Sequence, residues 1–368
     1  MKDYYDILQK NDPTAQIPDQ IFSNPNTNTD WQDAIFRTAA TRNYELSSSG
    51  GGEKTQYYTS LGYMKQGGVL LGSDFNRLSG RLNLNHQHND KLRFSTAINL
   101  TRAVNQRVQE ENSKEGATKS GIFSPPNIGV YDENGNFVYD QARITRENPV
   151  AMLELPTNEA QTFRILANVS AEYNIIPSLL LKTSFGTDIS FIDETFFMPP
   201  NGLRSYAAQG GIGARRNTRD QLWINETTLT YDKTVGDHSF NALAGFSVQE
   251  SRLEFVHAQR TNFPNNDIPY ITAGGVITGA NSFPEEWAIA SGFARATYIY
   301  KDKYIINGNV RTDGSSRFGA DNRWAVFPSL AGAWRISEED FLQDNATIND
   351  LKLRASWGIT GNQNIGNY

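Results

Sequence analysis

Apolar and polar positions alternate along most of the chain from residue 41 onward. In the segment LKLRASWGIT, Leu353, Ala355 and Trp357 alternate with Arg354 and Ser356. Because successive side chains of a β-strand point to opposite faces, this pattern predicts a strand with one apolar and one polar face. Similar alternation predicts about twelve strands, at 41–49, 55–64, 76–86, 92–103, 161–174, 178–191, 219–231, 239–257, 291–300, 304–312, 325–335 and 351–360.

The connections between these predicted strands alternate in length. The short ones lie at 50–54, 87–90, 175–177, 232–238 and 301–303, and the longer ones at 65–75, 104–160, 192–218, 258–290 and 313–324. An antiparallel up-and-down array with turns at one end and loops at the other produces this alternation. Outer-membrane barrels combine short periplasmic turns with long outer loops, so the pattern favours a transmembrane barrel wall. The connection 336–350 is the exception, because it is long for the turn side.

The composition of the two faces supports the same interpretation. The polar faces carry Asn, Ser, Thr, Gln and some Arg, and aromatic residues cluster near the strand ends, at Tyr231, Phe240, Tyr298, Tyr300 and Tyr304. Aromatic girdles at both interfaces are typical of membrane barrels. The alternative is a soluble extracellular β-sandwich, propeller or lectin-like binding module, in which the apolar faces would pack together as a closed core.

Composition narrows the possible functions of the 368-residue chain. It contains 16 Tyr and 20 Phe, which favours strands. It has no Cys, which excludes thiolate chemistry, disulfides and cysteine-ligated metals. The formal net charge is −6 and no basic stripe is present, so we expect no nucleic-acid partner. The segment 1–40 is expected to be an irregular lead-in, with Asp30 capping a short helix.

No motif predicts an enzyme. The segment DGSSRFG at 313–319 resembles a G-x-S-x-G nucleophile elbow but has Phe318 at the last glycine position, so a hairpin loop is expected. The Gly-rich segment 210–216 is expected to be an outer loop. Acidic pairs at 110–111, 285–286 and 338–339 are expected to be solvated loop charges. The segment around Asn134 and Gly135 predicts a hairpin with a type I′ turn.

No site residues are predicted: none for catalysis, for a cofactor or for a metal. His86 and His88 are too few for a metal site and are expected to lie at a turn or an interface. The residues that bind a substrate stay unknown. Loop aromatics could contact a cargo or pack the loops together, and the candidates are Phe123, Tyr131, Phe137, Tyr139, Phe196, Phe197, Tyr206, Phe283 and Trp287.

Three long segments resemble the SusC/RagA family of TonB-dependent outer-membrane transporters of the Bacteroidetes type. They are 30–70, from DWQDAIF to KQGGVL; 313–342, from DGSSRFG to SEEDFL; and 351–368, LKLRASWGITGNQNIGNY. The resemblance covers most of the chain from about residue 30, and the order and spacing of these motifs make it specific.

The resemblance implies a 22-stranded barrel in the outer membrane, enclosing an N-terminal plug. It also implies a SusD-like surface lipoprotein as a lid, and an oligosaccharide or peptide cargo imported with energy from TonB. Twelve strands are too few for that barrel. We therefore expect 41–368 to be a partial barrel from inside such a transporter, without the plug, the N-terminal part that contacts TonB and the C-terminal strands. By itself it should form an open, curved sheet with two free edges.

Overall fold

The computed structural model describes residues 2–14, 27–108, 116–139, 147–342, 347–363 and 365–366. Twelve strands dominate these residues: β1 (Thr41–Gly51), β2 (Thr55–Gly67), β3 (Asp74–Gln87), β4 (Leu92–Gln106), β5 (Thr157–Ile176), β6 (Leu179–Met198), β7 (Ile212–Val235), β8 (His238–Thr261), β9 (Val276–Tyr300), β10 (Tyr304–Ser315), β11 (Trp324–Arg335) and β12 (Lys352–Gly358). The all-β prediction and its twelve strands are confirmed.

All twelve strands form one sheet in the order β1 to β12, and each pairs antiparallel with its neighbours in sequence. In the described sheet β1 and β12 are the two edges, so the sheet is open. A sandwich would bury its apolar strand faces against a second sheet, whereas here those faces are exposed, with Leu46 76% and Leu61 57% accessible. The soluble sandwich alternative is therefore wrong.

The central strands extend well beyond the predicted bounds. β5 to β9 contain 20 to 25 residues each, so the loops predicted at 192–218 and 258–290 shrink to 199–211 and 262–275. The prediction failed there because charged residues such as Asp193, Arg215 and Glu286 occupy the otherwise apolar face. The apolar alternation ends at these residues, although the backbone ladder continues.

Helices are few and short. They are α1 (Lys2–Asn11), α2 (Trp31–Ile35), α3 (Ala117–Phe123), α4 (Ala151–Glu154) and α5 (Arg204–Ala207), with 3-10 turns at Ile271–Ala273, Ala320–Asn322 and Ile336–Glu338. Asp30 caps α2 by accepting hydrogen bonds from the backbone of Gln32 and Asp33, as predicted. Helix α1 was not predicted. None of the described helices is long and apolar enough to cross a membrane.

The main apolar core lies among the segments at the long-loop end of the sheet. Trp31 and Ile35 of α2 pack there with residues of α3, α4 and the ends of β6, and Ile35, Met152, Met198 and Leu203 are almost inaccessible to solvent. The lead-in is bound in place by backbone hydrogen bonds and by the indole of Trp31, which donates to the carbonyl of Pro125 at 2.9 Å. We call this assembly of 27–37, 116–139, 147–156 and 199–211 the loop-end cap.

Candidate functional site

The apolar face of the sheet is exposed along most of the length of the strands. Near the short turns, aromatic rings of neighbouring strands contact one another on this face. Tyr298 lies 4.9 Å from Phe240, and Tyr300 lies 6.4 Å from Tyr304, measured between ring centroids. These residues form the aromatic girdle that the sequence predicted. A face of this kind is suited to lipid.

The opposite face carries a ladder of charged and polar side chains. Arg164 on β5 donates to Asp188 on β6, with 2.8 Å between Nε and Oδ1. One carboxylate, Glu172, is bridged by Lys182 at 2.9 Å and approached by Arg93 at 3.9 Å. These pairs join β4, β5 and β6 on one surface, which in a closed barrel would face the lumen.

A second polar cluster lies on the same face, toward the other edge. Arg311 on β10 forms a salt bridge with Asp313, with Nε 2.7 Å from Oδ1, and donates to the hydroxyl of Ser291 on β9 at 2.9 Å. Its guanidinium lies 5.6 Å from the centre of the Phe293 ring. A salt bridge, a hydrogen bond and a cation–π contact therefore position Arg311 on this surface.

The DGSSRFG motif locks the β10–β11 loop onto β9. The backbone of Ser316 donates to the carbonyl of Ala288 at 2.9 Å, and its hydroxyl accepts from the amide of Ala288 at 2.8 Å. Arg317 stacks over Trp287 at 4.8 Å. The hairpin-loop prediction is confirmed for residues 316–319 and is wrong for 313–315, which belong to β10. The hydroxyls of Ser315 and Ser316 accept hydrogen bonds from backbone amides.

Asn148 is the polar centre of the loop-end cap. It is 2% accessible, and its amide makes four hydrogen bonds. The side-chain nitrogen donates to the carbonyls of Val130 and Val138, each at 2.9 Å, and the side-chain oxygen accepts from the amides of Val150 and Ala151. A single side chain therefore joins the 130–138 hairpin to α4. No periodic pattern marks this residue, so sequence reasoning missed it.

The hairpin around Asn134 and Gly135 exists, but its turn type differs from the prediction. Gly135 has φ +82°, while Asn134 does not have a positive φ, as a type I′ turn requires. The amide of Gly135 donates to the carbonyl of Asp132, giving a type I turn followed by a left-handed glycine. Hydrogen bonds from the side chain and backbone of Asn136 hold the pKa of Asp132 below its ordinary value, which favours the carboxylate in this turn.

A buried acid connects α5 to the other segments of the loop-end cap. Glu147 is 6% accessible and accepts hydrogen bonds from the amides of Arg204 and Ser205, at 3.1 and 2.7 Å. Tyr139 lies beside it, donates to the carbonyl of Gly202 at 3.2 Å and is stacked under the guanidinium of Arg204. Burial and the charge of Glu147 raise the pKa of Tyr139, so this tyrosine stays protonated at neutral pH.

Most of the aromatic candidates pack within the protein. Tyr131 and Phe137 contact each other across the hairpin at 5.0 Å. Phe197 is buried against Phe263 at 5.1 Å. Phe196 and Tyr206 line the core of the cap, whereas Phe123 is exposed. Phe196 and Phe197 lie in β6 instead of a loop.

Phe283 and Trp287 lie in β9, so the loop prediction is wrong for them. Phe283 is 55% accessible, and its ring meets the Phe255 ring edge to face, with 4.8 Å between the ring centroids. The guanidinium of Arg216 stacks on the Phe255 ring, 4.6 Å from its centroid. These residues lie on the polar face, near the upper end of the long strands. We call Arg216, Phe255, Phe283 and Trp287 the rim aromatic cluster.

The remaining sequence motifs bring no metal ligands or acid pairs together. His86 and His88 have ring centroids 6.1 Å apart, and the described part of the chain holds no group of three or more metal-binding side chains. Gly210 and Gly211 form a turn, but residues 212–216 belong to β7, so the loop prediction is wrong there. Glu285 and Glu286 lie in β9 rather than in a loop. The pair 110–111 lies outside the described residues.

An open antiparallel sheet with one lipid-suited face, one charged face and a cap over the long-loop end defines a wall segment of an outer-membrane β-barrel. No family model matches the chain. It is 32% identical over 353 residues to the TonB-dependent receptor P3 of Formosa agariphila, covering 93% of this chain and 35% of that protein. It is 29% identical over 366 residues to the TonB-dependent receptor SusC of Bacteroides thetaiotaomicron, covering 92% and 35%.

Solved structures agree with these relatives. The RagAB peptide transporter superposes with a TM-score of 0.80 and 28% identity, over 93% of this chain and 39% of that one. The ferric citrate transporter FecA shares the fold alone, with a TM-score of 0.52 and 7% identity. The chain belongs to the SusC/RagA-like TonB-dependent receptors and is an outer-membrane protein segment. Its relatives are receptors and transporters, and it is not an enzyme.

The chain spans about a third of the length of the curated relatives that it matches.

Proposed function

We propose that this chain is part of the barrel wall of an outer-membrane importer for an oligosaccharide or a peptide, energised through TonB. The observation that carries the proposal is the pairing of two unlike faces on one sheet. The apolar face meets lipid, and the polar face lines the path of the cargo. The names of the relatives, TonB-dependent receptors, support the link to TonB.

The rim aromatic cluster is the surface best suited to the cargo. Sugars and peptides both bind aromatic faces flanked by hydrogen-bond donors. Phe283 is exposed, and Arg216 lies beside it on the same polar face, held over Phe255. Within the loop-end cap Trp31 is buried, and Phe137, Tyr139 and Tyr206 are half-buried, so these rings are less accessible to a ligand than Phe283.

A SusD-like surface lipoprotein is the partner that we propose for the outer end. The long loops and the loop-end cap lie at that end, where a lid would rest. The division into a lead-in at 1–40 and a wall at 41–368 remains a prediction, with α2 of the lead-in already packed into the cap.

Uptake of labelled cargo by cells tests the proposal. Disrupting the gene should abolish uptake of one class, labelled oligosaccharides or labelled peptides, and a protonophore should abolish it in the parent strain. Uptake that persists without TonB, or that is unchanged for both classes in the disrupted strain, would contradict an importer. Which class is lost decides between the two cargoes.

Binding by purified protein tests the rim aromatic cluster. Phe283→Ala should weaken binding of the identified cargo about tenfold, since stacking of one ring contributes on the order of 1 kcal/mol or more. The matched control is Phe246→Ala on the apolar face, which is 51% accessible and should leave binding unchanged. Equal effects of the two variants would exclude the cluster as the contact surface.

A further inference from the structure

Two arginines bracket two phenylalanines in a single row across the apolar face. Arg102 on β4 is opposite Phe163 on β5, Phe163 is opposite Phe191 on β6, and Phe191 is opposite Arg219 on β7. Directly opposed residues of neighbouring strands share a face, and strands lie about 4.8 Å apart, so the two arginine backbones are about 14 Å apart. The row borders a shallow cavity of about 410 Å³.

Both arginines lack a carboxylate partner among the described residues, unlike the other charges around the cavity. Arg102 donates only to Gln161, at 3.3 Å, and Arg219 lies 5.9 Å from the Phe191 ring. The nearby acids already have cations: Asp193 pairs with Arg215 at 3.0 Å, and Glu254 pairs with Arg252. Glu254 is directly opposite Arg219 in the register, and its partner Arg252 also pairs with Glu286 at 3.1 Å. Neither Arg102 nor Arg219 forms a salt bridge among the described residues, so the row itself presents two cations.

The row lies where the lipid-facing band ends. On β7, Tyr231 of the lower aromatic girdle and Arg219 are twelve residues apart, which is about 30 Å along the membrane normal for a strand tilted by about 40°. That distance matches the hydrocarbon core of a bilayer. Above the row the same face is charged, and on β8 the charges begin lower, at Glu250 and Arg252. The row is at the end of the long loops, which is the outer leaflet in barrels of this kind.

We propose that this row, from Arg102 to Arg219, is a binding site for a phosphorylated glycolipid of the outer leaflet. The two guanidiniums hold phosphate oxygens at headgroup level, and the rings of Phe163 and Phe191, 42% and 41% accessible, hold the upper acyl chain segments. Cations immediately above exposed apolar rings are complementary to an anionic headgroup joined to hydrocarbon. A soluble anion would use only the upper half of this surface.

The test measures binding of lipid A to the protein purified in detergent from outer membranes. Arg102→Gln combined with Arg219→Gln should weaken binding about thirtyfold, from two cations that each contribute about fivefold. The matched control is Arg77→Gln with Arg295→Gln, which removes equal charge from the polar face and should leave binding unchanged. Heat-modifiable gel mobility confirms that both double variants are folded.

Two further probes separate the lipid from its parts. Dephosphorylated lipid A should bind as weakly to the wild type as lipid A binds to the Arg102/Arg219 variant. Inorganic phosphate should fail to displace lipid A, because it lacks the acyl chains. Unchanged affinity in the Arg102/Arg219 variant, equal losses in both double variants, equal binding of dephosphorylated lipid A, or displacement by phosphate alone would each overturn the proposal.

Discussion

The side-chain amide of Asn148 donates to the carbonyl of Val130 across 18 residues of sequence, at 2.9 Å. Together with its bonds to Val138, Val150 and Ala151, it joins the hairpin and α4 in an environment closed to water. A buried amide with every partner in place rigidifies its surroundings, and its loss leaves several backbone groups unpaired.

Replacing this amide should loosen the loop-end cap. Asn148→Ala is expected to cost roughly 2–4 kcal/mol locally, since buried backbone groups lose their partners. The measurement is hydrogen exchange of the amides in 130–138 and 150–155. Asn134→Ala, at an exposed position of the same hairpin, is the control. Equal protection in both variants would show that the cap does not depend on Asn148.

The attachment of the lead-in to the cap depends on Ile35. This side chain is fully buried beside Trp31, so Ile35→Ala should destabilise the cap by about 2–5 kcal/mol through lost contacts and a cavity. Limited proteolysis between 27 and 40 reports the detachment. The exposed Ile7 offers a matched control, Ile7→Ala, for which no change is expected; increased cleavage in both variants would point to a general effect.

The assignment of the two faces predicts opposite responses to a buried charge. Val169 lies on the apolar face, midway along β5, and Asn168 lies on the polar face beside it. Val169→Arg should destabilise the inserted protein by about 2–4 kcal/mol, and Asn168→Arg by much less. Urea titration of the protein folded into liposomes measures the difference. Similar losses for both variants would contradict a lipid-facing apolar face.

A pH-dependent contact is expected at the short-turn end. Glu339 accepts hydrogen bonds from the hydroxyl of Tyr304 at 2.7 Å and the indole of Trp334 at 3.0 Å, and forms a salt bridge with Lys303 at 3.2 Å. The donors from Tyr304 and Trp334, followed by Lys303, hold the pKa of Glu339 below its ordinary value. A lowered pKa means that the contact stabilises the turn above about pH 4.3 and is lost as pH falls through the folded pKa.

Fluorescence of the protein as a function of pH measures this change. The wild type should show an acid transition that disappears in Glu339→Gln, because Trp334 then has no titrating neighbour in this contact. Glu338→Gln, at the exposed neighbouring position, should keep the transition. An identical acid transition in all three proteins would assign it to another group.

Periodicity predicted the strands wherever one face stays apolar. The short strands at both edges, including β2 and β11, were found to within a few residues. The upper parts of β6, β7 and β9 were missed, because Asp193, Arg215 and Glu286 place charges on the lipid side of the ladder. Backbone pairing does not depend on the polarity of the side chains, so the strands continue there. The alternation of apolar residues does depend on it, so the sequence pattern ends.

Periodic patterns in the sequence could not predict the loop-end cap. Its apolar residues come from α2, α4 and the end of β6, in pieces too short to show a period. Asn148 and Glu147 are single polar residues whose partners are backbone atoms of other segments. Their role depends on burial, which appears only after the segments have been brought together.

The unequal heights of β9 and β10 limit how far the hydrocarbon reaches. β9 begins at Val276, but β10 pairs only with Ile289–Tyr300, so the strand above Ala288 has a ladder partner on one side among the described strands. Amide and carbonyl groups without partners cannot face the interior of a bilayer, where no water can satisfy them. The backbone pairing of β9, independently of its side chains, therefore requires the outer boundary of the hydrocarbon core to lie below residue 288.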